Sequence, residues 1–446
     1  MFPRLRAALR RIQTDLEQLL EPTQIVAVCR EAGYHWRKRL LDPITTIRLF
    51  VLQILNGNLA VARLPEFTRK VFSEAAYCKA RGRLPLRVLQ ALLQRVGTAL
   101  QPAMNESTRW HGHRTFHVDG SAFSMPDTPQ LQKHFGQPGC QRAGCGFPVA
   151  HLLTLFHAGT GFLLKVLPAP LRTHDLAQAE LMHPELEEGD VLIGDRAFCS
   201  FAHLALLLER KLHGVFRAHQ KQLIDFRPGR AYRKPGQHRK YKKGLPSSRW
   251  LKRLGVKDQL VEYFKPGRRP DWMASKRYAL LPTSFVVREL RYQVPRRGLR
   301  TRQVTLVTTL LDPECYPASE LAELYRQRWQ IETNLRHLKQ TMHMDVLHCK
   351  TLPGVLKELT MFALVYNLVR SVMYAAAQRQ NVAVDRISFA DALGWLMHVQ
   401  PGRRLRKLKV NPARPGRLEP RAVKRRPKEF DRLTQPRKVL RKRMAA

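Results

Sequence analysis

The sequence predicts an α/β protein: a mixed sheet flanked by helices, interrupted by a basic β-rich insertion and preceded by an all-helical segment. Three observations carry this prediction. Residues 1–110 show helical apolar spacing and no alternating run. Between residues 113 and 219, short β-type runs alternate with helical ones. Residues 321–340, LAELYRQRWQIETNLRHLKQ, lack Gly and Pro and are rich in Leu, Glu, Gln, Arg and Lys, which makes them a helix.

The chain has 446 residues, enough for two or three domains and a large core. Lys and Arg number 78 against 35 Asp and Glu, a net charge of +43. Such an excess repels itself unless a polyanion neutralises it, and nucleic acid is the obvious partner. A lipid surface is disfavoured, because even MFALVYNLV is interrupted by Arg370 before reaching a membrane-spanning length of about 18 residues. The first twenty residues are charged throughout and read as an amphipathic helix, not a signal peptide. Seven scattered cysteines argue for a reducing, cytoplasmic setting. Cys140-x4-Cys145 with His134 and His151 fits no common zinc ligand set.

In the N-terminal segment, TTIRLFVLQIL has helical spacing and stops at Asn56-Gly57-Asn58. Ser73 opens a short basic helix that ends near Gly82, and Pro85 starts another. With Arg69, Lys70, Lys79, Arg81 and Arg83 clustered there, the pattern fits a helix-turn-helix DNA reader or a helical bundle with a basic surface. RTFHVDGS then reads as a strand with Asp119 at its exit, followed by a turn-rich loop to Pro148. VAHLLTLFHAGTGFLLKVLPAP reads as two strands joined at Gly159-Thr160-Gly161, and THDLAQAELM as a helix. DVLIGDRAF is a strand that leaves Asp195 at its C-terminal end; FAHLALLLERKL and HGVFRAH follow as helix and strand. Asp127, Asp175 and Asp190 compete as candidate ligands, but they read as loop, helix-start and turn acids.

Residues 219–300 are strongly basic and contain β-like runs, among them KRYALLPT and SFVVRELRYQV, before QVTLVTTLL rejoins the sheet. At about 100° per residue, Tyr325, Arg328, Glu332 and Lys339 share an arc of about 60°, beside an apolar stripe of Leu324, Ile331, Leu335 and Leu338. Tyr325 and Lys339 would lie about 21 Å apart along the axis, a span suited to a polymer. The alternative is an exposed charged face with pairs such as Arg328–Glu332. PGVLKELTMFALVYNLVRSVMYAAA is a long buried helix, and residues 385–400 form a further one available for self-association. From Arg403 onward, eighteen Lys or Arg stand against three acids, a composition that reads as a disordered, phosphate-binding tail.

Tyr325-x2-Arg328-x3-Glu332-x6-Lys339 resembles the Tyr-Arg-Glu-Lys signature of DDE transposases of the insertion-sequence-four family. FSEAAYCKARGRLP resembles a segment of that family's N-terminal domain, and VDGSAFSMPD, GFPVAHLLTLFHAGTG and GDVLIGDRAF resemble its first two catalytic blocks in order. Together the likeness spans about residues 45–375. It implies an RNase H-like core in which Asp119, Asp195 and Glu332 bind metal and catalyse, with Tyr325, Arg328 and Lys339 on the DNA backbone. Carboxylate ligands without Cys or His suit Mg²⁺ or Mn²⁺, two ions per site. The implied activity is metal-dependent cleavage at transposon ends and strand transfer into target DNA, by a homodimer in a synaptic complex on bacterial nucleoid DNA. Some relatives flip a base onto a Trp before the final strand; this chain has Gln303 and Val304 there. The implied organisation is a helical DNA-binding domain (1–110), a catalytic core in two parts (111–218 and 301–380), the insertion (219–300), and a C-terminal helix and tail (381–446). Two rivals are a catalytically silent transposase-derived DNA-binding protein and an RNase H-like nuclease acting on RNA or junctions.

Overall fold

The structure, a computed structural model, describes residues 21–68, 70–106, 109–234, 244–294, 303–398, 404–412 and 433–445. The expected N-terminal amphipathic helix, Arg69, nearly all of the RKYKKG stretch and half of the basic tail lie outside the described residues.

The N-terminal part is helical, as the spacing predicts: α1 (Pro22–Glu31), α2 (Pro43–Leu55), α3 (Glu74–Arg83) and α4 (Leu86–Glu106). Each start has a local cause. The Asp42 carboxylate accepts the Thr45 amide before α2, and the Ser73 hydroxyl accepts the Ala76 amide before α3. The strands are β1 (Thr115–Ser124), β2 (Val149–His157), β3 (Leu163–Pro170), β4 (Val191–Gly194), β5 (His213–Arg217), β6 (Arg249–Gly255), β7 (Asp258–Phe264), β8 (Ser284–Gln293) and β9 (Gln303–Thr308). Between them lie α5 (Pro129–Phe135), α6 (Asp175–Ala179), α7 (Phe201–Glu209) and α8 (Ser275–Leu280). The chain continues through α9 (Ala318–Gln327), α10 (Trp329–Arg336), α11 (Leu352–Gln380), α12 (Phe389–His398) and α13 (Arg437–Met444).

The nine strands among the described residues form one sheet in the order β3-β2-β1-β4-β5-β9-β8-β7-β6. β1 pairs antiparallel with β2 and parallel with β4, and β4 pairs parallel with β5. This gives the RNase H-like order at one end of the sheet. The insertion is a continuation of the same sheet, because β9 pairs with β5 on one side and β8 on the other. One expected β-like run is helical: KRYALLPT contains most of α8. Tyr278 is buried there and its hydroxyl donates to the Pro266 carbonyl, while Lys265 Nζ donates to the carbonyls of Ala279 and Leu281. The turn-rich loop after β1 likewise holds a short helix, α5, capped by Thr128.

Alternation on β1 divides the core. Phe116 and Val118 pack with α6 and α7 on one face, while Phe123 joins Leu152, Phe156 and α11 on the other. By composition α11 is long and apolar enough to cross a membrane, but 89% of its most apolar stretch is buried inside the protein. The expectation that the next helix is free for self-association is corrected. Phe389, Ala392, Trp395 and Leu396 of α12 are buried in the chain's own core. The described parts of the tail are also placed. Lys409 N–H donates to Asp391, Ile387 pairs with Val410, and Arg437 contacts Asp127 and lies over the Phe147 ring.

A buried polar network joins the helical part to α11. Glu358, 1% exposed, accepts Asn58 Nδ2 at 2.6 Å and the amides of His348 and Cys349, each at 2.9 Å. Lys357 Nζ donates to the carbonyls of Arg81 and Gly82. Glu358→Ala orphans the buried Asn58 amide, worth about 1–3 kcal/mol, and the partly exposed amides of His348 and Cys349, so it is expected to destabilise the protein by about 2 kcal/mol or more. Thermal melting of the variant checks this, and a melting temperature equal to wild type would contradict it.

Candidate active site

The sheet brings the two aspartates together. The last parallel pair between β1 and β4 is His117↔Ile193; Asp119 lies two residues beyond it on β1, and Asp195 two residues beyond it, just past the end of β4. Neighbouring strands are about 4.8 Å apart, so the two carboxylates leave the sheet side by side. Asp119 is not at the strand's exit as expected. β1 runs on to Ser124, because Gly120–Ser124 keep pairing with β2 through Ser124↔Val149, and Ser124 bridges to Val346.

The third element is the helical stretch read as continuous over 321–340. It breaks at Arg328, where the amides of Arg328 and Ile331 make short i→i−3 bonds to Tyr325 and Arg328 carbonyls. It then opens into a π-helical turn over His337–Thr341, where His337 stacks on Phe389 with ring centroids 4.3 Å apart. Both departures turn side chains toward β1. Arg328 Nη1 lies 3.4 Å from Asp119 Oδ2, and its Nη2 lies 3.5 Å from Glu332 Oε1. Lys339 Nζ donates to Ser121 Oγ at 3.2 Å, two residues past Asp119 on the same strand face. Tyr325 is buried beside β4 and β5, with the Arg328 guanidinium 5.8 Å from its ring centroid. Asp119, Glu332 and Tyr325 therefore gather around the Arg328 guanidinium, Asp195 lies in its field, and Lys339 stands further along β1.

The electrostatics are those of crowded carboxylates. Burial pushes the Asp119 carboxyl up to about 6, against the pull of Arg328 and the Gly120 amide, with Asp195 and Asp175 adding to the rise. Burial works against the Arg328 charge, but Tyr325, Asp119 and Glu332 outweigh it and hold the guanidinium protonated. Among the described residues, no three carboxylate or imidazole groups converge closely enough to chelate an ion as they stand. A divalent cation nevertheless suits the donor set: the site offers carboxylate oxygens, and its anions repel one another unless a cation lies between them.

Two features escaped the sequence reading. His151 Nε2 lies 2.5 Å from Asp175 Oδ1, on the far side of β1 from Asp119. A Cβ at Gly120 would lie 2.5 Å from that same Asp175 oxygen, which explains the glycine beside Asp119. His117, two residues before Asp119, is fully buried with neither ring nitrogen partnered, and burial pushes its imidazole down to about 3. Asp175 does start a helix, as read, but nothing local signals its approach to His151. The remaining competitors are accounted for: Asp190 is paired with Arg114, and Asp127 with Arg437.

The sequence profile described as the transposase DDE domain matches residues 110–368, more than half of the chain. The chain belongs to the DDE transposase family. This transposase is 26% identical over 391 residues to the transposase InsG for insertion sequence element IS4 of Escherichia coli (strain K12), covering 81% of this chain and 79% of that one. It is also 30% identical over 103 residues to the putative transposase InsZ of the same organism, covering 23% and 34% of the two chains. Among solved structures, a piggyBac transposase synaptic complex with hairpin DNA aligns at a TM-score of 0.43 and 11% identity, over 89% of this chain and 79% of that one. As a DDE transposase the chain is a DNA-processing enzyme dependent on divalent metal.

The Asp119 shift has a consequence for the metal-free transposase. A carboxyl held near 6 in the folded state, against an ordinary value of 3.8, favours folding below pH 4 and loses that contribution as pH rises through 6. Asp119→Asn is therefore expected to stabilise the metal-free protein at pH 7.5 by about 1–3 kcal/mol, since the value near 6 already includes the pull of Arg328. Melting curves at pH 7.5 and pH 4 check this: the gain should be present at the first and absent at the second.

Proposed function

We propose that Asp119, Asp195 and Glu332 hold two Mg²⁺ or Mn²⁺ ions and that the site cleaves DNA at transposon ends and joins the 3′ ends to target DNA. The observation that supports this best is the Arg328 guanidinium, which pairs with Asp119 and Glu332 and lies in the field of Asp195, the two aspartates coming from adjacent parallel strands and Glu332 from a helix. Bound there, the ions would supply an activated water or 3′-hydroxyl and a stabilised leaving oxygen for in-line attack on a phosphodiester.

The chain's own residues do the positioning. Arg328, released from Asp119 and Glu332, has the planar fork to hold a phosphate bidentately beside the carboxylates. Tyr325, buried against the sheet, fixes the guanidinium's approach from below. Lys339 offers a flexible point charge further along the strand, and its bond to Ser121 keeps it near β1. The three thus mark a path for one DNA strand across the site. The Gly120 amide, which donates to Asp119 Oδ1 at 2.8 Å, orients that carboxylate. We further propose that the transposase works as a homodimer holding two ends, in the bacterial cytoplasm on nucleoid DNA.

The test is cleavage of a supercoiled plasmid carrying the element's two ends, with Mg²⁺, with Mn²⁺ and with chelator. End-dependent, metal-dependent nicking or excision is expected. Equal cutting of RNA duplexes or branched junctions would favour the nuclease reading, and metal-independent binding without cutting would favour the silent one.

A further inference from the structure

The cations expected to read DNA in the N-terminal part are only partly available for it. Arg81 is drawn inward: Nη1 donates to Gln53 Oε1 at 3.1 Å, Nη2 lies 3.0 Å from Cys349 Sγ, and the guanidinium sits 3.9 Å above the Phe50 ring. Lys70 Nζ donates to the Leu40 carbonyl and Thr45 Oγ1. Both serve the fold. Arg83 remains exposed in the last turn of α3, and its surroundings point to a site outside the helices.

Gly33, at φ +62°, ends α1 and turns the chain into an extended segment. Along it, side chains alternate: Tyr34 and Trp36 are half-buried, with ring centroids 5.8 Å apart, while His35, Arg37 and Arg39 are exposed. Arg83 closes on this segment from α3, and the phenol of Tyr34 lies in the field of both Arg83 and Arg39. Together these residues line a cleft of about 270 Å³, with Asp42 at its edge. The Asp42 carboxylate is already engaged by the Thr45 amide. Among the described residues, Arg37, Arg39 and Arg83 form no ion pair.

We propose that this cleft is a DNA-backbone subsite, in which Arg37, Arg39 and Arg83 hold successive phosphates and the Trp36 ring packs against the sugar or base between them. Resting on the transposase reading, it adds a contact surface on the extended segment after α1. Residues two apart on an extended chain stand about 7 Å from each other, comparable with the step between neighbouring phosphates of one strand. Three unpaired guanidiniums beside an aromatic floor have the chemistry of backbone gripping, sequence-blind and salt-sensitive.

The test measures binding of the full chain to a duplex carrying the element's end and to a random duplex of equal length, over a range of salt. Arg37→Gln with Arg39→Gln should weaken binding by on the order of tenfold and make the salt dependence shallower by nearly two, at about 0.9 per phosphate contact. Arg83→Gln should reduce the slope by about one. Trp36→Leu should weaken binding while leaving the slope unchanged, and Arg37→Lys with Arg39→Lys should restore most of the slope. Losses on both duplexes assign the cleft to any DNA; losses on the end duplex alone assign it to the transposon end. Wild-type affinity and slope in the double Gln variant, with a wild-type melting curve, would overturn the proposal. Failure of the wild-type protein to bind or cut either DNA would count against the transposase reading instead.

Discussion

Asp119→Ala, Asp195→Ala and Glu332→Ala are each expected to reduce strand cleavage at transposon ends by at least about a thousandfold, with end binding changed by no more than about twofold. The contrast follows from where the charges are. In the proposed assignment each substitution would remove one carboxylate from the three that hold the cations, while Arg328 and Lys339 would remain to hold phosphate. Glu332 is the sharpest of the three, because its side chain is 41% exposed and has no structural task beyond its contact with Arg328. A fold defect therefore cannot explain a dead Glu332 variant. Cleavage and end binding should be measured on one preparation of each protein. Near-normal cleavage by any variant would remove that residue from the ligand set.

Arg328→Ala should likewise abolish cleavage, by about a hundredfold or more, and it should also change stability in a pH-dependent way. An exposed i,i+4 pair with Glu332 would contribute no more than about 1 kcal/mol. Arg328 is only 17% exposed, however, and shares its charge with Asp119, whose carboxyl burial already pushes up to about 6. Without the guanidinium, ionised Asp119 loses its nearest cation, and a loss of about 1–3 kcal/mol is expected in the metal-free protein at pH 7.5. Below pH 4, where Asp119 is protonated, this part of the loss should disappear. Arg328→Lys should recover most of the stability and little of the cleavage, since it keeps the charge and loses the planar fork. Normal cleavage by Arg328→Ala would leave the residue with a structural role alone.

Much of the fold was legible because its signals are local. Asn56 marks the end of α2, and Ser73 marks the start of α3. The short apolar runs VAHLLTLFH and VLIG declare β2 and β4. Leu352–Gln380 is apolar on nearly every side, as a helix in the middle of a core must be. Less legible were features set by distant partners. β1 outlasts Asp119 only because β2 lies alongside it, and α8 replaces a strand because Tyr278 finds a buried place against Pro266. Nothing within SKRYAL itself shows that place. The continuity of the insertion with the core sheet depends on β9 pairing with two strands at once, which no periodicity reveals.

The candidate site divides in the same way. Tyr325, Arg328, Glu332 and Lys339 were found by spacing along one stretch, and that spacing survives even though the stretch is two helices and a π-turn instead of one helix. The register of β1 and β4 makes sense of Asp119 and Asp195 as a pair, but neither is distinctive alone, because Asp-Gly and Gly-Asp occur in many turns. The Arg328 bridge, the Asp175–His151 pair under Gly120 and the inward turn of Arg81 are tertiary facts. Arg81 in particular reads in sequence as one more basic residue of a DNA-binding helix, and only Gln53, Cys349 and the Phe50 ring show it to be part of the interior.

The most direct measurement is the position of Mn²⁺ in crystals of the transposase, located by anomalous scattering. Carboxylate oxygens of Asp119, Asp195 and Glu332 should lie about 2.0–2.3 Å from the ions, with the Arg328 guanidinium moved away from Asp119 and Glu332. In Glu332→Ala the anomalous peak of the ion that Glu332 would hold should weaken or vanish. Mn²⁺ bound instead at Asp175 and His151, with the Arg328 bridge intact, would contradict the assignment of the three carboxylates.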